Sequence, residues 1–180
     1  MSRKFRPTDA FVDESIRGQR YLMGCVLIEA KHLASLRVDV EGLVLTGGRV
    51  HFHNESSRRR RDILARFAEY PISVFVVVCH RNHGITEFRA RELCLSEIVD
   101  RLQLDSVPHL VVESRHDDSE DHLTIPRVRR SEPPLIWEHR VGAEESLLWI
   151  ADGITWAVGA GAAWRLLIDP ILRDVIELRP

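Results

Sequence analysis

Four acids set in apolar surroundings carry most of the chemical information in the sequence. Asp13 and Glu14 follow the apolar start of "AFVDES", Glu113 follows "LVV" in "HLVVESR", and Asp152 lies inside "LLWIADGITWA". A carboxylate among Ile150, Ala151, Ile154 and Trp156 costs on the order of several kcal/mol if it is desolvated and unpaired, so Asp152 needs a partner. If the acids converge they form an oxygen-rich site. Such sites hold Mg²⁺ or Mn²⁺, which activate water and stabilise a displaced phosphate oxygen. The chemistry expected is phosphodiester hydrolysis, with Asp13 or Glu14, Glu113 and Asp152 as the acids that would meet at the metal. Taken singly, each acid also has an ordinary explanation as a turn cap, a strand end in solvent or an arginine partner.

The stretch "VHFHNESSRRRR" offers helpers for such a site. His51 and His53 are two apart on an expected strand and would share a face beside Glu55, which suits ligation or proton transfer. Arg58, Arg59, Arg60 and Arg61 spread around the following helix, because successive residues point about 100° apart, so only some could face a polyanionic substrate. The ordinary reading of the run is a solvated face. Arg127, Arg129 and Arg130 form a second candidate patch, and His80 and His83 in "CHRNHG" a second pair of imidazoles. Phosphate-loop, dinucleotide-binding and serine-elbow motifs are absent, which argues against those chemistries.

The elements that would position these residues read in order along the chain. "AFVDES" and "RYLMGCVLIEA" are expected strands joined by the hairpin-like "IRGQ", and "KHLASLR" is a short helix. A Gly47–Gly48 break precedes "RVHFH", expected to be a strand. "ESSRRRRDILARFAEYP" places Ile63, Leu64, Phe67 and Ala68 on one helical side, and "ISVFVVVCH" is a strand covered on both faces, expected at the centre of the sheet. "EFRARELCLSEIVDRL" should cross over to "HLVVESR", making these strands neighbours in a βαβ unit. "HDDSEDHLTIPRVRRSEPP" reads as an exposed excursion, "LIWEHR" as a strand, and "GAEESLLWIADGITWAVGAGAAW" as a long helix with Glu145 two turns before Asp152 on the same face. The fold class expected is α/β, a ribonuclease H-like mixed sheet with antiparallel N-terminal strands, then parallel βαβ strands, and helices on both faces.

A chain of 180 residues with 44% hydrophobic composition fits a single domain over residues 1–180. Residues 1–9 are expected to be flexible, and residues 166–180 to dock on the core as a tail. Lys and Arg total 25 against 27 for Asp and Glu, a net charge of −2, so any nucleic-acid partner must be met by local arginine patches. Cys25, Cys79 and Cys94 lie in apolar segments without ligand spacing and are expected to be reduced core thiols. The basic N-terminus lacks a signal-type apolar core, and no apolar run reaches the roughly 18 residues of a spanning helix. A cytoplasmic location and no membrane partner are therefore expected.

With these residues in view, the chain resembles domain-of-unknown-function family 3800, a bacterial and archaeal family in the ribonuclease H-like group. The resemblance runs from about Phe11 to Trp156 and rests on two short motifs: the family's DE pair, as in "FVDES", and its QxxD motif, to which "WIAD" is similar. It implies that Asp13 and Glu14 match the DE pair, Asp152 the aspartate of QxxD, and Glu113 a strand position where an acid is frequent. His53 would keep the histidine of a glutamate-x-histidine pattern. Trp149 stands where the glutamine is expected. The leading reading is a metal-dependent nuclease using Asp13, Glu113 and Asp152 with Glu14 and His53. The alternatives are a non-catalytic module that binds nucleic acid or a protein, and a phosphoesterase acting on small nucleotides.

Overall fold

In the computed structural model, which describes residues 5–45, 48–82 and 84–180, a β-hairpin opens the chain. Strands β1 (Asp9–Arg17) and β2 (Arg20–Ile28) pair antiparallel along their whole length. The turn between them uses Gly18 at φ 58°, a left-handed conformation that glycine adopts without a Cβ penalty. Helix α1 (Leu33–Glu41) follows, and helix α2 (Ser57–Phe67) begins where the Ser56 hydroxyl accepts the Arg59 N–H, buries Ile63, Leu64 and Phe67, and leads into strand β3 (Ile72–His80). Helix α3 (Glu87–Leu104), strand β4 (His109–Glu113), helix α4 (Ser119–Val128), strand β5 (Ile136–Arg140), helix α5 (Leu148–Ala160), the short helix α6 (Ala162–Arg165) and strand β6 (Leu172–Leu178) complete the order.

The strands form one six-stranded sheet in the order β5-β4-β1-β2-β3-β6. β2 is antiparallel to β1 and β3, whereas β4 runs parallel to β1, β5 to β4, and β6 to β3. This is the mixed α/β sheet expected, with one correction to its connectivity. β3 and β4 are not neighbours, because β2 fills one edge of β3 and β6 the other. The 18 residues of α3, about 27 Å long at ~1.5 Å per residue, carry the chain back across β2 and β1 to the free edge of β1.

Side-chain alternation divides the core into two layers. Phe11, Leu22, Val26, Val74 and Val76 face α2 and α5, while Ala10, Val12, Tyr21, Met23 and Val77 face α3. Close approach of α5 to the hairpin depends on Gly24, which lies opposite Asp13. A Cβ there would stand 2.1 Å from Thr155 Oγ1, and the Thr155 hydroxyl lies 3.4 Å from the Asp13 carbonyl oxygen. Gly24→Ala is expected to push α5 off β1 and to cost about 1–3 kcal/mol, measurable by thermal or urea unfolding.

Four further expectations are revised. "RVHFH" is not a strand; Phe52–Asn54 form a 3-10 turn, because Phe52 turns inward against Phe67 and Trp156. The exposed excursion contains α4, which buries Asp121, Thr124 and Ile125. Glu145 precedes α5 and is held by Arg37 at 2.8 Å, away from Asp152's helical face. Residues 8 and 9, within the segment expected to be flexible, are joined to the sheet: Asp9 opens β1, and the Thr8 N–H donates to Ile28 O. Residues 1–4, Gly47 and His83 lie outside the described residues.

The C-terminal segment pairs with β3 through β6. Cys25, Cys79 and Cys94 are free and buried. Among the described residues no helix is long and apolar enough to cross a membrane.

Candidate metal and active site

β1 ends its parallel pairing with β4 at Val12↔Val112, so Asp13, midway along β1, and Glu113, the last residue of β4, are the next pair on these adjacent strands. Both follow the parity of Phe11 and Val111 and project to the α5 side of the sheet. α5 crosses above them, and Asp152 completes the group from its second turn. Asp13, Glu113 and Asp152 line one open pocket of about 190 Å³, together with Glu14, Arg49, His51, Ser114 and Arg115. The three acids share this one pocket beside the carboxyl end of β4, the side on which open α/β sheets place ligand crevices.

Asp13 is the most confined of the three, with 8% of its surface exposed. Burial pushes its carboxyl well above the usual carboxylate range, and the neighbouring charge of Glu113, a direct contact with it, and the charges of Asp152 and Glu14 add to the rise. Asp152 is likewise raised by burial and by Glu113, partly offset by the Phe52 N–H, which donates to its Oδ2 at 2.9 Å, and by His51 and Arg49. Arg49 Nη1 donates to Glu113 Oε1 at 3.2 Å. The site therefore holds more negative charge than its cations balance.

Trp149, three residues before Asp152, does not reach into this group. Its indole N–H donates to Gly142 O at 2.5 Å. Gly142 in turn lies against Glu113, since a Cβ there would stand 2.2 Å from Glu113 Oε1 and 2.6 Å from Arg49 Nη1. Trp149 thus fixes the loop that walls the Glu113 carboxylate.

Glu14 points to the opposite face from Asp13. Its carboxylate meets the buried guanidinium of Arg91 and lies 3.7 Å from Arg115 Nε. Burial raises its pKa even so, against the lowering effect of both arginines. Arg91, 1% exposed, also donates to both oxygens of Asp121, at 2.8 and 2.6 Å, and to Tyr21 Oη at 3.2 Å. His139 Nε2 approaches Asp121 Oδ2 at 3.0 Å. Burial opposes ionisation of Asp121, but the bonds from Arg91 and His139 outweigh it and hold its carboxyl below the usual range. Glu14 is therefore an ion-pair anchor beneath the pocket.

Ligand atoms of Asp118, Asp121 and His139 all lie within 4.8 Å of one another, the one such trio among the described residues, whereas those of Asp13, Glu113 and Asp152 do not all approach that closely. Its oxygens are already engaged: Arg91 takes both of Asp121, and Asp118 accepts the Ser114 hydroxyl at 2.6 Å and the Arg115 N–H at 2.9 Å. The Asp13 group leaves far more acceptor capacity open.

The helper residues are redistributed. His51, not His53, reaches the pocket, with Nδ1 3.8 Å from Asp152 Oδ2. His53 is exposed, and its carbonyl accepts from Arg60. The 3-10 turn is the reason, since it removes the shared strand face that the HxH spacing implied. None of Arg58, Arg59, Arg60 or Arg61 lines the pocket; Arg49 and Arg115 do. Arg59 pairs with Glu55 and the Leu43 carbonyl, and Arg60 donates to Phe52 O and His53 O. Arg58 and Arg61 are exposed on α2. In the second patch Arg127 pairs with Glu92, Arg129 with Leu135 O, and Arg130 with Asp100. His80 meets Glu177. Arg49, the pocket's own cation, had no sequence signal beyond being one arginine among many.

Comparison with known proteins agrees with this architecture. No protein-family model matches the chain, and no curated protein does. Among solved structures, the chain is similar to the ribonuclease H2 from Pyrococcus horikoshii OT3, with a TM-score of 0.52 and 16% identity over 84% of this chain and 72% of that one. It is also similar to Bst-RNase HIII in complex with Mn²⁺, with a TM-score of 0.55 and 14% identity over 86% of this chain. The chain spans 52% of the length of that second structure. The fold is ribonuclease H-like.

Proposed function

We propose that the protein is a divalent-metal-dependent nuclease whose working acids are Asp13, Glu113 and Asp152. The observation that carries this reading is the sharing of one open pocket by three carboxylates, two of them with raised proton affinity, beside the carboxyl end of β4. Oxygen donors of this type suit Mg²⁺ or Mn²⁺, and a cation would offset both the burial of the Asp13 charge and the repulsion that adds to its raised pKa. The Mn²⁺-bound structural neighbour supports a divalent ion in general. Asp13, Glu113 and Asp152 would hold it, and when bound it lowers the pKa of water and stabilises charge on phosphate oxygens.

The chain's own residues supply the rest. The Phe52 N–H keeps the Asp152 carboxylate turned to the pocket, and the Trp149–Gly142 contact keeps Glu113 in place. Arg49 and Arg115 give the rim positive charge for a phosphodiester backbone. His51, half-exposed beside Asp152, is placed to deliver a proton to the leaving oxygen. The DE and QxxD likenesses support kinship with domain-of-unknown-function family 3800, with Trp149 as a structural replacement for the glutamine.

The test is cleavage of labelled single strands, duplexes and RNA–DNA hybrids with Mg²⁺, Mn²⁺ or chelator. Cleavage that requires metal is expected. Nucleic-acid binding without cleavage under any metal would favour the non-catalytic module, a reading to which the Arg49–Glu113 pair already lends some weight.

A further inference from the structure

Over much of the surface, arginines sit against carboxylates, as Arg37 does on Glu145, Arg101 on Glu97 and Arg173 on Asp105. Around the C-terminal half of α5 this pattern breaks. Among the described residues no carboxylate oxygen lies within 4.0 Å of Arg17, Arg20, Arg60 or Arg61. The four come from three separate elements, the β1 end, the β2 start and α2, and three of them gather on two tryptophans. Arg17 Cζ stands 5.5 Å and Arg60 Cζ 4.4 Å from the Trp156 ring, and Arg61 Cζ is 5.2 Å from the Trp164 ring. The two indoles pack edge to face at 4.9 Å, and Arg20 donates to Gly159 O at 3.0 Å. Arg17 Nε is buried without a hydrogen-bond partner.

This group adjoins the carboxylate pocket. Trp156 follows Asp152 by four residues on α5, so the two share a helix face about one turn apart. Arg60 holds Phe52 O, while the Phe52 N–H holds Asp152. Unpaired guanidiniums fixed over aromatic rings lose little further freedom when they meet an anion, and they present fork donors that match phosphate geometry.

We propose that Arg17, Arg60 and Arg61, mounted on Trp156 and Trp164, form with Arg20 a binding surface for the phosphodiester backbone of nucleic acid running off the carboxylate pocket. Its assignment as the flank of a cleavage site rests on the nuclease reading above; its binding of backbone phosphates does not. Arg17 and Arg61 carry the free charge, and Arg60 joins the surface to the wall that orients Asp152.

The experiment measures fluorescence anisotropy of a labelled oligonucleotide with the full chain in chelator, across a salt titration, so that no cleavage intervenes. Arg61→Gln, at an exposed helix position, is expected to lower the slope of log affinity against log salt by about one, and Arg17→Gln/Arg61→Gln by about two, irrespective of base sequence. An unchanged slope and affinity in folded Arg61→Gln and in the double variant overturn the proposal, even if the parent cleaves nucleic acid with metal. Reduced slopes in a protein that cleaves under no metal uphold the surface and remove the nuclease reading. A parent chain that binds no oligonucleotide at low salt overturns both.

Discussion

Asp13→Asn is expected to raise the melting temperature of the metal-free protein at neutral pH while abolishing metal-dependent cleavage. The two effects have one cause. Asp13 is buried against Glu113 and near Asp152, and its pKa is raised well above the usual range, so the fold favours its protonated form. A raised acid contributes stability that is fully present below its unfolded value of about 3.9 and is lost as pH rises through the folded value. Metal-free parent should therefore lose stability as pH climbs from about 4 through that raised value. Asparagine keeps the shape and removes the charge, so its profile should be flatter in that range. Added Mn²⁺ should stabilise the parent, through binding to the folded state, and leave the variant unmoved. Cleavage should fall by at least about 100-fold, because removal of a ligand displaces the ion that carries charge stabilisation. Melting curves from pH 4 to 8, with and without Mn²⁺, read out the stability half. A variant that melts below the parent at every pH and still responds to Mn²⁺ would falsify the assignment of Asp13.

The legible parts of the molecule were those written in apolar periodicity. β2, β3, α3 and the apolar length of α5 follow directly from their runs of buried residues, and the three pocket acids stood out because each interrupts such a run. What could not be read was set by partners distant in sequence. α4 docks through Asp121 on Arg91, thirty residues away, with only Ile125 and Val128 as apolar contacts to the core, so its segment looked like a charged loop. The "HFH" alternation suggested a strand, but the space beside Gly153 draws Phe52 inward, since a Cβ on Gly153 would stand 2.8 Å from its ring. That inward turn exchanged His53 for His51 at the pocket. The DE pair shows the same limit. Period-2 alternation places Asp13 and Glu14 on opposite faces, but only the fold reveals that the second face holds a buried arginine.

That arginine gives the largest stability effect expected in the molecule. Arg91→Met should destabilise the protein by about 3–5 kcal/mol, because it strands two buried acids without a counter-charge. Arg91 is 1% exposed and serves Glu14, Tyr21 and both oxygens of Asp121, so no water can take its place without rearranging α3 against α4. The triple change Arg91→Met/Glu14→Gln/Asp121→Asn should recover most of the loss, since the cost lies in unpaired charge and not in the absence of a salt bridge. The pH dependence separates this account from simple loss of packing. In the parent, Asp121 has a lowered pKa, so its contribution is present above the unfolded value and is lost as pH falls through the folded one. In Arg91→Met the same carboxylate is buried without its guanidinium, its pKa moves up, and acidification from neutral pH should stabilise the variant relative to its own value at pH 7. Urea unfolding of the parent, single and triple variants at pH 5 and pH 7 tests both points. If the triple variant remains as unstable as Arg91→Met, or if acidification weakens both variants alike, then Arg91 acts through its bulk, and Glu14 is not anchored by charge beneath the Asp13 pocket.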